Sequence, residues 1–316
     1  MKLLASLFLS AAALCAQSAS VSSATSVDIN GHRVAEGPQV ITSKTPAGVQ
    51  TTEIMQSING RTVPLERVEE RVLRDDAAGK VVERIIHRYD PQGNPTAPVR
   101  ERIEEQKRSD GSSTTIATTY RGDINGNMQL AEKSVTEARK SGTEERSETI
   151  VQRPTVNGSL DTVEKQEQTK ISEPNGFKQE STTYRRTGNG DFYAAVRKVT
   201  DRTERGSETT DNTVEYEASP DSSLRVHSQM VANTITASDG SKQTVLNIYG
   251  SNVPGTVSTP GSALKLQEQQ LVDTQKGPND TVTQTVSVRR PSVSDPNALG
   301  PARQISQTLC KGNCKP

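Results

Sequence analysis

Short runs of β-forming residues recur along the chain between charged stretches, and each run leads into a turn. Thr118-Thr119-Tyr120-Arg121 precedes Asp123-Ile124-Asn125-Gly126-Asn127, and Thr182-Thr183-Tyr184-Arg185 precedes Gly188-Asn189-Gly190. Ile150-Val151-Gln152-Arg153 likewise precedes Asn157-Gly158. Tyr89, Tyr120, Val151, Tyr184, Tyr216 and Tyr249 are separated by 31, 31, 33, 32 and 33 residues. A fixed period of about 32 residues marks a repeat architecture. A second set of turns lies between these: Ala47-Gly48, Ala78-Gly79, Asp110-Gly111, Ser141-Gly142, Asn175-Gly176, Arg205-Gly206, Asp239-Gly240 and Lys276-Gly277. Asn-Gly and Asp-Gly favour type I′ hairpin turns, so each repeat is expected to hold two long antiparallel strands.

Hairpin partners sit symmetrically about their turn. This pairs Tyr120 with Leu130, Tyr184 with Phe192, Tyr216 with Leu224 and Tyr89 with Val99. Val99, Leu130, Leu160, Phe192 and Leu224 then form a second column beside the tyrosines. Each such pair contributes roughly 0.2–1 kcal/mol. Elsewhere the strands are charged, as in Glu144-Glu145-Arg146 and Val163-Glu164-Lys165-Gln166-Glu167, so most of the sheet is expected to be wet on both faces. Leu65–Arg74 and Val99–Lys107 have some helical propensity, but the phased turns favour strands. The expected fold is all-β: an elongated antiparallel meander of tandem β-hairpin repeats, about fifteen strands, in a largely single-layer or curled sheet. A lipid-spanning barrel would need an apolar residue at every second position over a tall band, and Ser147–Arg153 lacks one.

Residues 1–18 have the features of an export signal: Lys2, an apolar run from Leu3 to Ala16, and Ala16-Gln17-Ser18 as a small-x-small cleavage site. Residues 19–45 are expected to form an N-terminal tail and first strand, with 17–27 loose. Residues 46–250 are the repeat region, 251–262 a Pro/Gly linker, 263–293 a last divergent repeat and 294–316 a tail carrying a cysteine pair. Export puts the protein outside the cytoplasm, secreted or periplasmic, with no transmembrane segment after cleavage.

Composition narrows the function. The apolar fraction is 31%, low for a packed domain. Without Lys2 the exported chain has 37 basic and 38 acidic residues. No basic surplus draws it to nucleic acid. Cys310 and Cys314 suit an oxidising compartment and a small local disulfide, the alternatives being two free thiols or an intermolecular bridge.

Chemistry-bearing motifs are sparse. His32, His87 and His227 fall in different repeats, away from ligand spacing. Glu144-Glu145 is one carboxylate pair among many. Arg121-Gly122-Asp123 spells a cell-attachment tripeptide but sits at a hairpin turn. Asn157-Gly158-Ser159 and Asn279-Asp280-Thr281 are glycosylation sequons. Tyr89-Asp90-Pro91-Gln92-Gly93-Asn94 resembles the tyrosine-aspartate repeats of bacterial secreted β-shells over this one repeat. Elsewhere Arg121, Arg185, Glu217 or Gly250 follows the tyrosine and the period is longer, so the resemblance implies no function. No catalytic, cofactor or metal constellation emerges. The expectation is a non-catalytic envelope scaffold or adhesin-like protein. The alternative is a module binding polysaccharide or a protein partner through the spine Tyr89, Tyr120, Tyr184, Tyr216 and Tyr249.

Overall fold

The computed structural model describes residues 20–27, 33–34, 39–44, 48–58, 61–123, 126–219, 222–250, 264–278, 281–292, 295 and 298–311. The expected signal and linker lie outside these. The first strands are β1 (Ser20–Val27), β2 (Arg33–Val34), β3 (Gln39–Lys44), β4 (Val49–Ile58), β5 (Arg61–Asp76), β6 (Gly79–Arg88), β7 (Val99–Lys107) and β8 (Ser113–Gly122). Next come β9 (Met128–Ser141), β10 (Glu144–Pro154), β11 (Leu160–Glu173), β12 (Gly176–Arg186), β13 (Phe192–Arg205), β14 (Glu208–Ala218) and β15 (Leu224–Thr236). The last are β16 (Lys242–Gly250), β17 (Lys265–Gly277), β18 (Thr281–Arg289) and β19 (Arg303–Lys311). The described residues contain no helix, and both stretches of helical propensity are strands, β5 and β7.

Strands β4 to β19 run as one antiparallel meander, each paired with its neighbours in sequence, and β3 extends it at one edge. β1 then pairs with both β3 and β19. One row can be followed across the join: Ile54–Val40–Ser22–Cys310–Val282. The two edges of the meander are thus brought together by β1. Two segments read as tails from sequence, residues 17–27 and 294–316, contribute β1 and β19. Both edges gain a partner, which removes the unpaired backbone that makes an edge strand prone to aggregation.

The turns differ from expectation in an informative way. At Thr155–Ser159 the Thr155 amide donates to the Ser159 carbonyl (2.8 Å) and the Gly158 amide to the Thr155 carbonyl (2.9 Å). The same pair of bonds closes Asp90–Asn94, Arg108–Ser112, Asp123–Asn127, Thr187–Asp191, Ser219–Ser223 and Ala237–Ser241. The loops whose residues are all described, at Asp90–Asn94, Arg108–Ser112, Thr155–Ser159, Thr187–Asp191 and Ala237–Ser241, are three-residue loops, a type I turn followed by one left-handed residue, and not the two-residue type I′ turns expected. Only the glycine has positive φ (Gly158 +78°, Gly190 +97°), so the Asn before it stays in ordinary space. The turns at Gly142 and Gly206 are two-residue loops with Gly at the first position, φ +59° and +62°, as type II′ requires.

A bulge accompanies each repeat. The ladder shifts by one at Thr119/Tyr120, Val151/Gln152, Thr183/Tyr184 and Glu215/Tyr216. The extra residues are Ala131, Val163, Ala195 and His227, each 32 after the last. Because the bulge slips one strand against its partner, it sets the stagger of the sheet.

Among the described residues the buried apolar side chains are Val81, Val82, Ala195 and Val288, and none of the large ones is fully buried. Among the described residues the strands touch their ladder neighbours, β13 also reaches β15 across β14, and no contact crosses to an opposite wall. Both faces carry water and charge. Arg100–Glu83 and Arg197–Glu180 lie on one face, and Arg84–Glu70 and Arg202–Asp211 on the other.

Candidate functional site

The tyrosines are positioned by the bulged hairpins. Tyr120 faces Leu130 across β8 and β9, as the turn symmetry predicts. The other pairs are displaced. Tyr184 faces Ala194 while Phe192 faces Arg186, and Tyr216 faces Val226 while Leu224 faces Ala218. In each case the loop, closed at Thr187–Asp191 or Ser219–Ser223, is centred one residue later than the symmetry assumed, which moves the partner by two residues, keeps the face and turns a direct pair into a diagonal one. Tyr89 bridges Pro95, whereas Val99 faces Ile86.

The columns are therefore recomposed. Gln152, not Val151, occupies the tyrosine position of its repeat, because Val151 lies before the bulge and on the opposite face. The companion column is Met128, Leu160, Phe192 and Leu224, the partners of Gly122, Pro154, Arg186 and Ala218. Tyr120, Tyr184, Tyr216 and Tyr249 share one face, traced through rows such as Ile116–Val135–Ile150–Lys165–Tyr184. They do not stack on one another. Tyr184 and Tyr216 meet β13 at Ala194 and Arg197, three residues apart. Two strand spacings plus that stagger separate them by roughly 14 Å, beyond the 4.5–7 Å of ring pairs.

Polar groups surround these rings instead. The Tyr184 hydroxyl donates to Glu167 at 3.1 Å. Burial first, then that hydrogen bond, holds its phenol above the usual range. Arg197 lies 5.9 Å from the Tyr216 ring centroid, and Lys165 4.9 Å from that of Phe192. On the opposite face Phe177 sits between Lys170 (4.6 Å) and Arg202 (5.1 Å). Arg202 donates two bonds to Asp211, at 2.6 and 2.8 Å, which push the guanidinium further up.

The other candidate residues disperse. His87 lies in β6 opposite Arg67. The Nδ1 of His227 is 3.4 Å from Glu217. His32 lies outside the described residues. Glu144 accepts from Arg146 and Glu145 from Lys140, on opposite faces of β10. Among the described residues no three His, Cys, Asp or Glu side chains form a metal-holding group. Asp123 of the Arg-Gly-Asp tripeptide caps its own turn, accepting the Asn127 amide at 2.9 Å. Asn157 is exposed in its turn, and Asn279 is not described. Cys310 lies in β19 opposite Val282, while Cys314 lies outside the described residues.

Sequence reasoning missed Tyr193, Glu217 and His227. They line or adjoin a surface depression of about 570 Å³ at the Asn-Gly end, on the face away from the tyrosines. The available signal was a break in the repeat, since Glu217 stands where Arg121, Arg153 and Arg185 stand in earlier repeats. No family model matches the chain, and no curated protein matches it significantly. No helix among the described residues is long and apolar enough to cross a membrane.

Proposed function

We propose that this is an exported, non-catalytic scaffold of the cell envelope, secreted or periplasmic, in which stacked hairpins build a hydrated β-shell. The observation that carries the reading is that each hairpin is complete in its own ladder and bulge, and rests on its neighbours alone. Such a chain lengthens by repetition, as a spacer must. Ion pairs on both faces suit water on either side, since a charge at mid-bilayer costs about 2–4 kcal/mol. A Cys310–Cys314 bridge would close the end of β19, supported by the Lys311-Gly312-Asn313 spacing and an oxidising compartment. Circular dichroism and small-angle scattering of residues 19–316 test the scaffold. A β-rich spectrum from a particle of fixed shape supports it, and a random-coil spectrum removes it.

The second reading is a module that binds polysaccharide or a protein partner through the tyrosine face. It is favoured by four tyrosines on one face, one per repeat except where Gln152 takes the place between Tyr120 and Tyr184. A repeating ligand could meet them one ring at a time. Replacing Tyr120 and Tyr184 with Ala separates the readings. Lost binding with unchanged melting supports the module, and a lower melting temperature alone supports the scaffold.

A further inference from the structure

The repeats provide an internal standard against which a departure can be seen. At the Asn-Gly end of four junctions between hairpins, on the face away from the tyrosines, an acidic residue meets an arginine. The rungs are Glu66–Arg88 (3.1 Å), Glu132–Arg153 (2.9 Å), Glu164–Arg185 (3.6 Å) and Glu268–Arg290 (3.0 Å). Three junctions lack the pair. Between β7 and β8 the partners are Val99 and Arg121, which keeps the arginine. Between β15 and β16 they are Ser228 and Gly250, and between β13 and β14 they are Val196 and Glu217, which puts an acid in the arginine's place. The depression of about 570 Å³ opens at the β13–β14 junction, lined by Tyr193, Val196 and Glu217 among others. Arg185, of the rung just before that junction, faces Tyr193 directly. The bulge residue is also changed. Ala131, Val163 and Ala195 give way to His227, whose imidazole meets the Glu217 carboxylate at 3.4 Å.

We infer that this gap is a binding site for one ring of a carbohydrate. A Tyr ring offers a platform for the C–H face of a sugar. Glu217 and His227 supply an acceptor and a donor for hydroxyls. The nearby charges are of both signs, which suits a neutral polyol better than an ion. The volume falls within the range of small-molecule sites, and its open form leaves the rest of a chain in water. A reversed charge and a lost rung forgo a stabilising pair, which is the exchange expected where a repeat is specialised for binding. The site is on the face opposite the tyrosine spine, so it stands apart from the reading in which that spine binds.

The test titrates the exported chain with three hexamers: cellohexaose, maltohexaose and β-1,4-linked N-acetylglucosamine hexamer. Binding is followed by calorimetry and by backbone NMR shifts. The wild type should bind at least one, with shifts at Tyr193, Glu217 and His227. Tyr193→Ala and the shape-preserving Glu217→Gln should each weaken binding by about tenfold or more. The variant Val196→Glu/Glu217→Arg, which completes the ladder, should lose binding while its melting temperature rises by about 1–3 °C. The inference is overturned if no hexamer binds the wild type, or if binding persists in Glu217→Gln and in the ladder-completing variant. Neither outcome alters the spectrum or scattering that test the scaffold.

Discussion

Ser222 is the one described residue other than glycine with positive φ, at 63°. Gly126, Gly158 and Gly190 hold the same place in earlier turns, each 32 residues before the next. A Cβ in left-handed space carries a cost that glycine avoids. Ser222→Gly should therefore stabilise by about 0.5–1 kcal/mol, read as a higher thermal midpoint. No rise would mean the turn at Ser219–Ser223 is not the left-handed loop described. Gly176 shows the opposite constraint: a Cβ there would lie 1.9 Å from the Arg202 carbonyl oxygen, at φ +146°. Gly176→Ala should cost about 2 kcal/mol or more, seen as an earlier urea midpoint. Turn carboxylates add a pH dependence. Asp90 is held below its usual range first by its bond from the Asn94 side chain, Asp110 by Ser112 and Asp239 by the Ser241 amide. A depressed folded pKa means the contribution is complete above the unfolded value of about 3.9, and is lost as pH falls through the folded value. Amide exchange at Asn94, Ser112 and Ser241 should thus quicken, relative to the intrinsic rate, only below about pH 4. Unchanged protection down to pH 2 would show that these caps do not hold the turns.

At the scale of the strand, the bend depends on the bulge. Deleting Ala195 would make Ala194 and Val196 consecutive opposite Tyr184 and Thr183, which keeps both faces but removes the bend and twist that the bulge gives β13. The loss should be about 1–2 kcal/mol, and the near-UV circular dichroism of the tyrosines should change. A melt like that of the wild type would show the bulge is dispensable. This is also where the sequence stopped being readable. Turns and strand type were legible, because Gly, Asn and Asp announce turns and Thr, Val and Tyr fill strands. The Tyr120–Leu130 pair followed from symmetry alone. The bulge did not, because Ala131, Val163, Ala195 and His227 share no chemistry. The columns shifted for a different reason: the period is 32 residues from Tyr120 to Tyr216, which places Gln152 and Met128 in them and leaves Val151 and Leu130 out of phase.

For the whole molecule, the decisive element is β1, whose Ser-rich sequence reads as a tail because its pairing is with residues some 290 positions away (Ser22 with Cys310). Its ladders are short, five pairs with β19 and three with β3, so closure is the weakest seam in the sheet. Removing residues 19–27 should leave two bare edges and promote association, detected as concentration-dependent light scattering. A variant that stayed monomeric would argue that β1 covers nothing.

Closure can be measured by one distance. Nitroxide labels at Ile54→Cys and Val282→Cys, with Cys310 and Cys314 replaced by Ser, probe the row through Val40, Ser22 and Cys310. Across four ladder steps at about 4.8 Å the backbones lie roughly 19 Å apart, and a pulsed dipolar measurement should return about 20–30 Å with the label arms. If β1 does not join β3 to β19, the path runs the other way through the sheet, roughly 67 Å if flat. A distribution centred beyond about 40 Å would contradict a closed shell.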